Sequence, residues 1–212
     1  LRKRPLLPFE RKDGTYDAVY TDSETSVTLH DGRLARNGRQ LTMAHHQYIL
    51  DHVFPSEADN DEVCEEAIEP LVNWAEQGNK ATVICFGQTG TGKTYTLNAA
   101  LQYISRRLVG KCIRVTFFEI RGKKAFDLLH QRRVVHLRSD EHDVIHVRGA
   151  RQLMFGLEEG TAGEDDDAQV PSYRRAEQLT ILLDGAMQLR SQEVTERNPV
   201  SSRSHAICFI EI

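Results

Sequence analysis

The stretch Gly87-Gln88-Thr89-Gly90-Thr91-Gly92-Lys93-Thr94 limits what this chain can fold into more than any other part of it. Gly87 and the triplet Gly92-Lys93-Thr94 stand at the G-x-x-x-x-G-K-[ST] spacing. A loop of this kind, free of bulky side chains, lets successive backbone N–H groups converge on one anion. In such a cradle Lys93 reaches the β- and γ-phosphates of a nucleotide as a mobile point charge, and the Thr94 hydroxyl is a ligand of the Mg2+ that bridges them. Both flanks agree with the pattern. Ala81-Thr82-Val83-Ile84-Cys85-Phe86 is a short, β-rich apolar run that reads as a buried strand. Leu97, Leu101, Ile104 and Leu108 recur at helical spacing, so the loop opens a helix whose N-terminal dipole favours an anion.

The 212 residues, 40% of them hydrophobic, suffice for a sizeable core, and one soluble globular domain is the expectation. Cys64, Cys85, Cys112 and Cys208 lie far apart, which favours reduced thiols and a cytosolic compartment over a disulfide framework or zinc site. No run approaches the roughly eighteen apolar residues of a membrane helix, and no signal-peptide pattern opens the sequence. Membrane and nucleic-acid partners are therefore not expected, the latter because a net charge of −4 gives no global attraction to a polyanion. The short basic groups Arg2-Lys3-Arg4, Arg132-Arg133 and Arg174-Arg175 read as solvated surface when each is taken alone. The nine histidines show no metal-ligand spacing.

Along the chain, strand and helix patterns alternate, the signature of a three-layer α/β domain. Strands are expected over Ser26–Leu29, Gln47–Leu50, Ala81–Phe86, Ile113–Ile120, Val134–Leu137, Asp143–Val147 and Ala206–Ile212. A helix capped by Asn60 or Asp61 should run through Trp74, with Val63, Ala67, Leu71 and Trp74 on its apolar face, a kink at Pro70 and Gly78 past its end. Another should run from about Arg174 to Arg190 on Ala176, Leu179, Leu182, Leu183 and Met187. Residues 156–172, with Glu164-Asp165-Asp166-Asp167 and no apolar periodicity, read as a surface loop without assigned function.

Near the C-terminus, Asn198-Pro199-Val200-Ser201-Ser202-Arg203-Ser204-His205 precedes an apolar strand. Paired hydroxyls can ligate Mg2+ or orient a water, and a guanidinium can pair with a carboxylate or phosphate, which are the parts of a γ-phosphate sensor. Together, Gly-Gln-Thr-Gly-x-Gly-Lys-Thr and Asn-x-x-Ser-Ser-Arg-Ser-His resemble the phosphate loop and first switch of the kinesin motor domain. Arg2-Lys3-Arg4-Pro5 is similar to the Arg-x-Arg-Pro that kinesins place against adenine, and Leu50-Asp51-His52-Val53-Phe54 to their Phe-Asp-x-x-Phe strand. The resemblance runs nearly end to end.

It implies a phosphate-loop NTPase fold with a central mixed β-sheet flanked by helices, and an ATPase that uses Mg2+ and binds microtubules or tubulin in the cytoplasm and cytoskeleton. By it, residues Gly87, Gln88, Thr89, Gly90, Thr91, Gly92, Lys93 and Thr94 hold the phosphates, while Arg2, Arg4 and Pro5 with Tyr95 form the adenine slot. Ser201 and Ser202 close on the γ-phosphate, with Ser202 and Thr94 at the metal, and Asn198 and Arg203 hold the switch closed. The segments "RKRPL", "ATVICFGQTG" and "VTFFEIRGKKAFDLLH" look most like the internal-motor subfamily that removes tubulin from microtubule ends.

The sequence departs from the family pattern at several places. Tyr95 stands where many kinesins have histidine, Ala35-Arg36-Asn37 stands where the subfamily carries Lys-Val-Asp, and the link between Thr94 and Thr116 is short, so one uninterrupted helix is expected there. After the strand matching Ala206–Ile212, kinesins continue into Asp-x-Ala-Gly-x-Glu, the second switch, and the main microtubule-binding helices. The 212 residues thus read as a partial motor domain, 1–212, with a sheet incomplete at the C-terminus and slow or absent hydrolysis on its own. A non-catalytic nucleotide-binding or tubulin-interaction module, and an unrelated phosphate-loop NTPase, are the other readings.

Overall fold

The computed structural model describes residues 1–36, 38–156, 177–191 and 204–212. They form two compact units, Leu1–Val63 and Cys64–Ile212.

In the first unit a short helix α1 (Pro8–Lys12) precedes strands β1 (Val19–Ser23), β2 (Ser26–Leu34) and β3 (Leu41–Ile49), an antiparallel sheet in the order β1-β2-β3. The expected strands Ser26–Leu29 and Gln47–Leu50 are parts of the longer β2 and β3, whose register runs from Ser26 opposite Ile49 to Leu34 opposite Leu41. The N-terminal residues return to Phe54 through a parallel bridge with Arg2, closed by Lys3 N–H to Phe54 O (2.9 Å) and Phe54 N–H to Leu1 O (2.7 Å). Phe54 packs with Ala58 and Val63 in a small buried cluster.

Helix α2 (Asn60–Ala67) carries the boundary between the units, and α3 (Glu69–Glu76) follows it. One kinked helix was the expectation; two helices are found, because Pro70 sits in the first turn of α3 behind the N-cap Ile68. There proline's missing N–H costs nothing, and it starts a helix rather than bending one. The buried positions are also shifted from those expected. Val63, Cys64, Ile68 and Val72 are inside, whereas Ala67 is exposed and Trp74 retains 52% of its surface.

The second unit is built around β4 (Ile113–Arg121), whose burial pattern is nearly continuous. Strands β5 (Lys124–Asp127) and β8 (Leu153–Phe155) pair with successive parts of β4, and β9 (Ser204–Glu211) pairs with it from Arg114 to Arg121. Strands β6 (Arg133–Ser139) and β7 (Ile145–Arg148) extend the sheet beyond β5, and every one of these pairings is antiparallel. The period-2 alternation of β4 sorts its side chains to two faces. Ile113, Val115 and Phe117 join the main core with Phe155 of β8, with Leu101, Leu179 and Leu183 of helices α4 (Lys93–Arg107) and α5 (Glu177–Ser191), and with Leu108, the C-cap of α4. Phe118 joins Ala125 and Val135 in a second cluster.

Helix α4 runs unbroken, as the short link predicts, and is tied to both neighbours. Arg107 of α4 donates to Glu69 Oε1 (2.9 Å), Glu76 Oε1 (3.2 Å) and Asn73 Oδ1 (3.0 Å) of α3. Buried Ser105 and Thr180 of α5 share a 2.6 Å hydroxyl contact. Arg107 and Tyr103 hold the Glu69 carboxyl below its ordinary pKa, Arg107 contributing more. Helix α5 begins at Glu177, within the expected span; Arg174 and Ala176 lie outside the described residues.

One expected strand is not formed. Ala81–Phe86 has no strand assignment and no ladder partner among the described residues, and Val83, Ile84 and Phe86 keep 41%, 81% and 96% of their surface. An apolar run becomes a strand only where a neighbour pairs with its N–H and C=O groups, and none of the described strands is hydrogen-bonded to this one.

Candidate nucleotide site

The loop from Gly87 to Gly92 joins this extended segment to α4. Glycine is required at its two ends for different reasons. A Cβ on Gly87, whose φ is 152°, would lie 2.6 Å from Thr91 Oγ1, so a side chain there is strained and forces the Thr91 hydroxyl to shift. Gly92 is the N-cap of α4 in the left-handed region, with φ 91°, where an L-residue is strained. Because Gly92 has no side chain, nothing from the cap residue fills the N-terminal end of α4, and an anion can take that place.

The loop curls tightly around its own polar groups. Thr91 Oγ1 donates to Gln88 O (2.8 Å), and Lys93 Nζ donates to Gly87 O (2.8 Å) and Gln88 O (2.6 Å). The ammonium thus sits inside the loop on two neutral carbonyls, with no carboxylate hydrogen-bonded to it among the described residues. Those bonds are weaker than a bond to a phosphate oxygen would be, so a phosphate in the cradle can win the lysine. A positive group, a glycine curl too tight for a Cβ and a helix N-terminus together fit a phosphate chain. Gln88, Thr89, Gly90 and Thr94 are exposed at the loop surface, and Tyr95 in the first turn of α4 keeps 62% of its surface.

The other expected site residues fall into two groups. Arg2, Arg4 and Pro5 belong to the first unit. Arg2 is pinned by Asn60 Oδ1 (2.8 Å) and the Ala58 carbonyl (3.4 Å). Arg4 makes a two-pronged contact with Glu10, at 2.9 Å to Oε2 and 2.8 Å to Oε1, and Leu7 N–H donates to the same carboxylate at 2.7 Å. Arg4 first, and then Leu7, hold the Glu10 carboxyl down at about 2. Pro5 is exposed. Asn198, Ser201, Ser202 and Arg203 lie outside the described residues, as do Asn37 of the Ala35-Arg36-Asn37 tip and residues 157–172 of the acidic stretch. Among the described residues no three His, Cys, Asp or Glu side chains are grouped to hold a metal, and no helix is long and apolar enough to cross a membrane.

Sequence reasoning did not foresee Asn60 and Glu10 as the holders of Arg2 and Arg4. Nor did it foresee Glu119 of β4, a fully buried carboxylate paired with Arg132 and Arg190. An acid inside the β-rich run Val115–Ile120, apolar apart from Thr116, was the only signal for the last.

Comparison with known proteins decides the family. The kinesin motor domain family matches residues 2–212. The chain belongs to the kinesin motor domain family. Diatom spindle kinesin-1 of Cylindrotheca fusiformis is 32% identical over 99% of this chain, which spans 32% of that protein. Kinesin-like protein KIN-13B of Arabidopsis thaliana is 32% identical over the whole chain, which spans 30% of it. The chain therefore covers about a third of the length of these relatives. The solved structure of a fast kinesin superposes with a TM-score of 0.72 at 21% identity, covering 99% of this chain and 57% of that one, and so shares the fold. The fold is that of the kinesin-type phosphate-loop NTPase, as the sequence resemblance implied.

Proposed function

We propose that these residues are the nucleotide-binding part of a microtubule motor that couples Mg-ATP hydrolysis to microtubule binding, movement or end depolymerisation. The observation that carries this reading is the Lys93 ammonium held on the Gly87 and Gln88 carbonyls inside a glycine curl at the start of α4, in a chain of the kinesin family. On binding, Lys93 leaves the two carbonyls for the β- and γ-phosphates, and the loop N–H groups from Gln88 to Thr94 take the remaining charge. The Thr94 and Ser202 hydroxyls would hold Mg2+, which would supply neutralisation of phosphate charge. For adenine the family resemblance assigns Arg2, Arg4 and Pro5 of the first unit and Tyr95 of the second, residue types whose cations and ring suit a purine face. Ser201 and Ser202 sense the γ-phosphate, and Asn198 and Arg203 hold that segment closed, so that the nucleotide state biases the microtubule-binding surface. The work is done in the cytoplasm on the cytoskeleton.

Depolymerisation at microtubule ends is the form of this activity we favour, on the "RKRPL" and "VTFFEIRGKKAFDLLH" segments and on KIN-13 relatives from two plants among the similar proteins. The first test is thermal unfolding of the 212-residue chain with and without Mg-ATP, where an upward shift of the transition is expected because a ligand bound only by the native state stabilises it. In the full-length protein Lys93→Ala is expected to abolish microtubule-stimulated ATP turnover. Unchanged turnover would sink the assignment. End depolymerisation is read separately, from the shortening of stabilised microtubules with ATP.

A further inference from the structure

Strand pairing in the first unit brings together two histidines that lie 15 residues apart in sequence. His30 of β2 stands directly opposite His45 of β3. The His30 N–H donates to Ala18 O (2.8 Å) and its C=O accepts from the Tyr16 hydroxyl (3.4 Å), so its backbone groups turn away from β3. The pair is therefore of the non-hydrogen-bonded kind, which brings opposite side chains closest. The two imidazoles meet Nδ1 to Nδ1 at 2.7 Å, with ring centroids 4.9 Å apart and planes nearly perpendicular. His45 is exposed and His30 half-buried.

A neutral imidazole carries one N–H and one lone pair, so one Nδ1 of this pair holds a proton and the other accepts it. The same lone pairs are ligands for zinc, copper and nickel, at metal–nitrogen distances of about 2.0–2.1 Å. Two such bonds at a tetrahedral angle put their nitrogens roughly 3.3 Å apart, about half an ångström more than here, an opening that small side-chain rotations supply. The shared proton then moves to Nε2 of its own ring, and both rings stay neutral while giving Nδ1 to the ion. The surroundings suit a soft cation. The next cross-strand pair on this face is Gly32 and Met43. A Cβ on Gly32 would lie 3.2 Å from the Tyr16 hydroxyl and 3.9 Å from Met43 Sδ, so a phenol and a thioether stand where a β2 side chain would otherwise be. His46 belongs to the opposite face, 3.9 Å from the Asp31 carboxylate.

We propose that His30 and His45 chelate a divalent transition-metal ion of the zinc and copper class, which bridges β2 and β3 while water completes its shell. The ion ties the strands at the middle of a register that runs from Ser26 opposite Ile49 to Leu34 opposite Leu41. The inference stands apart from the nucleotide site, because Mg2+ is a hard ion that takes oxygen ligands.

The test is calorimetric titration of the metal-stripped full-length protein with Zn2+, in wild type and in His30→Ala, His45→Ala and His46→Ala. Wild type is expected to bind a Zn2+ ion that His30→Ala and His45→Ala each bind about tenfold or more weakly, since losing a ligand costs no less than losing one of its outer partners. His46→Ala should keep the wild-type affinity, and excess Mg2+ should not compete. Cu2+ bound in place of Zn2+ should show coupling to two nitrogens by electron paramagnetic resonance. Because the ion joins two strands, Zn2+ should also slow amide exchange across β2 and β3 at least threefold in wild type and not in His45→Ala. Equal Zn2+ affinity in wild type and His45→Ala overturns the proposal, as does an equal loss in His46→Ala. Zn2+ bound without slower exchange overturns the bridge between the strands. Should His30→Ala not fold, His45→Ala, at an exposed position, decides by the same readouts.

Discussion

Two apolar runs of this chain look alike in sequence and end differently. Val83-Ile84-Cys85-Phe86 lies open, with Phe86 keeping 96% of its surface, whereas Val115-Thr116-Phe117-Phe118 is buried in the middle of β4, with Phe117 at 1%. Composition does not separate them, since both are β-branched and aromatic. Neighbours do. β4 has β9 along one edge and β5 and β8 along the other, while the run before the phosphate loop has no ladder partner among the described residues. Strand propensity describes fit to a pleated, half-buried surface, and where no such surface is offered the same residues stay extended and wet.

The widest consequence of that difference is in hydrogen exchange. In the 212-residue chain the amides of Val115–Glu119 open only with most of the unit, so they should exchange on the order of a thousandfold or more slowly than those of Val83–Phe86. Equal protection of the two runs, measured by mass spectrometry or NMR, would break the comparison. Next in size is a truncation at the centre of the paired run. Phe117→Ala removes a ring packed among Val115, Phe155 and the helices α4 and α5, and should cost about 3–5 kcal/mol in urea unfolding. A cost below about 1 kcal/mol would mean that the main core is looser than its contacts suggest.

How much of this was readable follows from the same contrast. The phosphate loop, α4 and β4 were legible because each is specified locally: glycines at fixed offsets, a helical apolar stripe from Leu97 to Leu108, and a long apolar strand. The short strands β1, β5 and β8 were not expected, because a few residues carry too little pattern and each exists through its partner. The split at Pro70 depended on which side of the proline the helix could use. The grip of Glu10 on Arg4 and of Glu119 on Arg190 is tertiary, and sequence spacing alone does not disclose such pairs. Of the residues singled out for the nucleotide, those in the loop could be read directly from their spacing, and the adenine-slot and switch residues only through the family resemblance.

Cysteine chemistry offers a smaller test of the contrast, because one thiol lies in each region. Burial pushes the Cys208 thiol up to about 12, its side chain packing against the main core from β9. Burial also raises the Cys85 thiol, in the open run. The thiolate is the reacting species, so a higher pKa means less of it at any pH below that pKa. At pH 8 a maleimide should therefore label Cys85 at least tenfold faster than Cys208 in the folded chain, and the ratio should fall toward one in urea. Faster labelling of Cys208 would mean that β9 leaves β4 in solution.

The smallest expected effect is the sharpest check on the open run. Phe86→Ser replaces a ring that touches almost nothing, so unfolding free energy should change by no more than about 0.5 kcal/mol, and solubility should rise as the apolar patch shrinks. The Gly87 curl begins one residue later and does not depend on the ring, so the Mg-ATP shift in unfolding temperature should survive the substitution. A loss above about 1 kcal/mol would show that Phe86 is buried in the protein in solution, and that the run has found a neighbour after all. A lost nucleotide shift without lost stability would instead place the phenyl ring in the support of the phosphate loop, and the contrast between the two runs would become one of function as well as pairing.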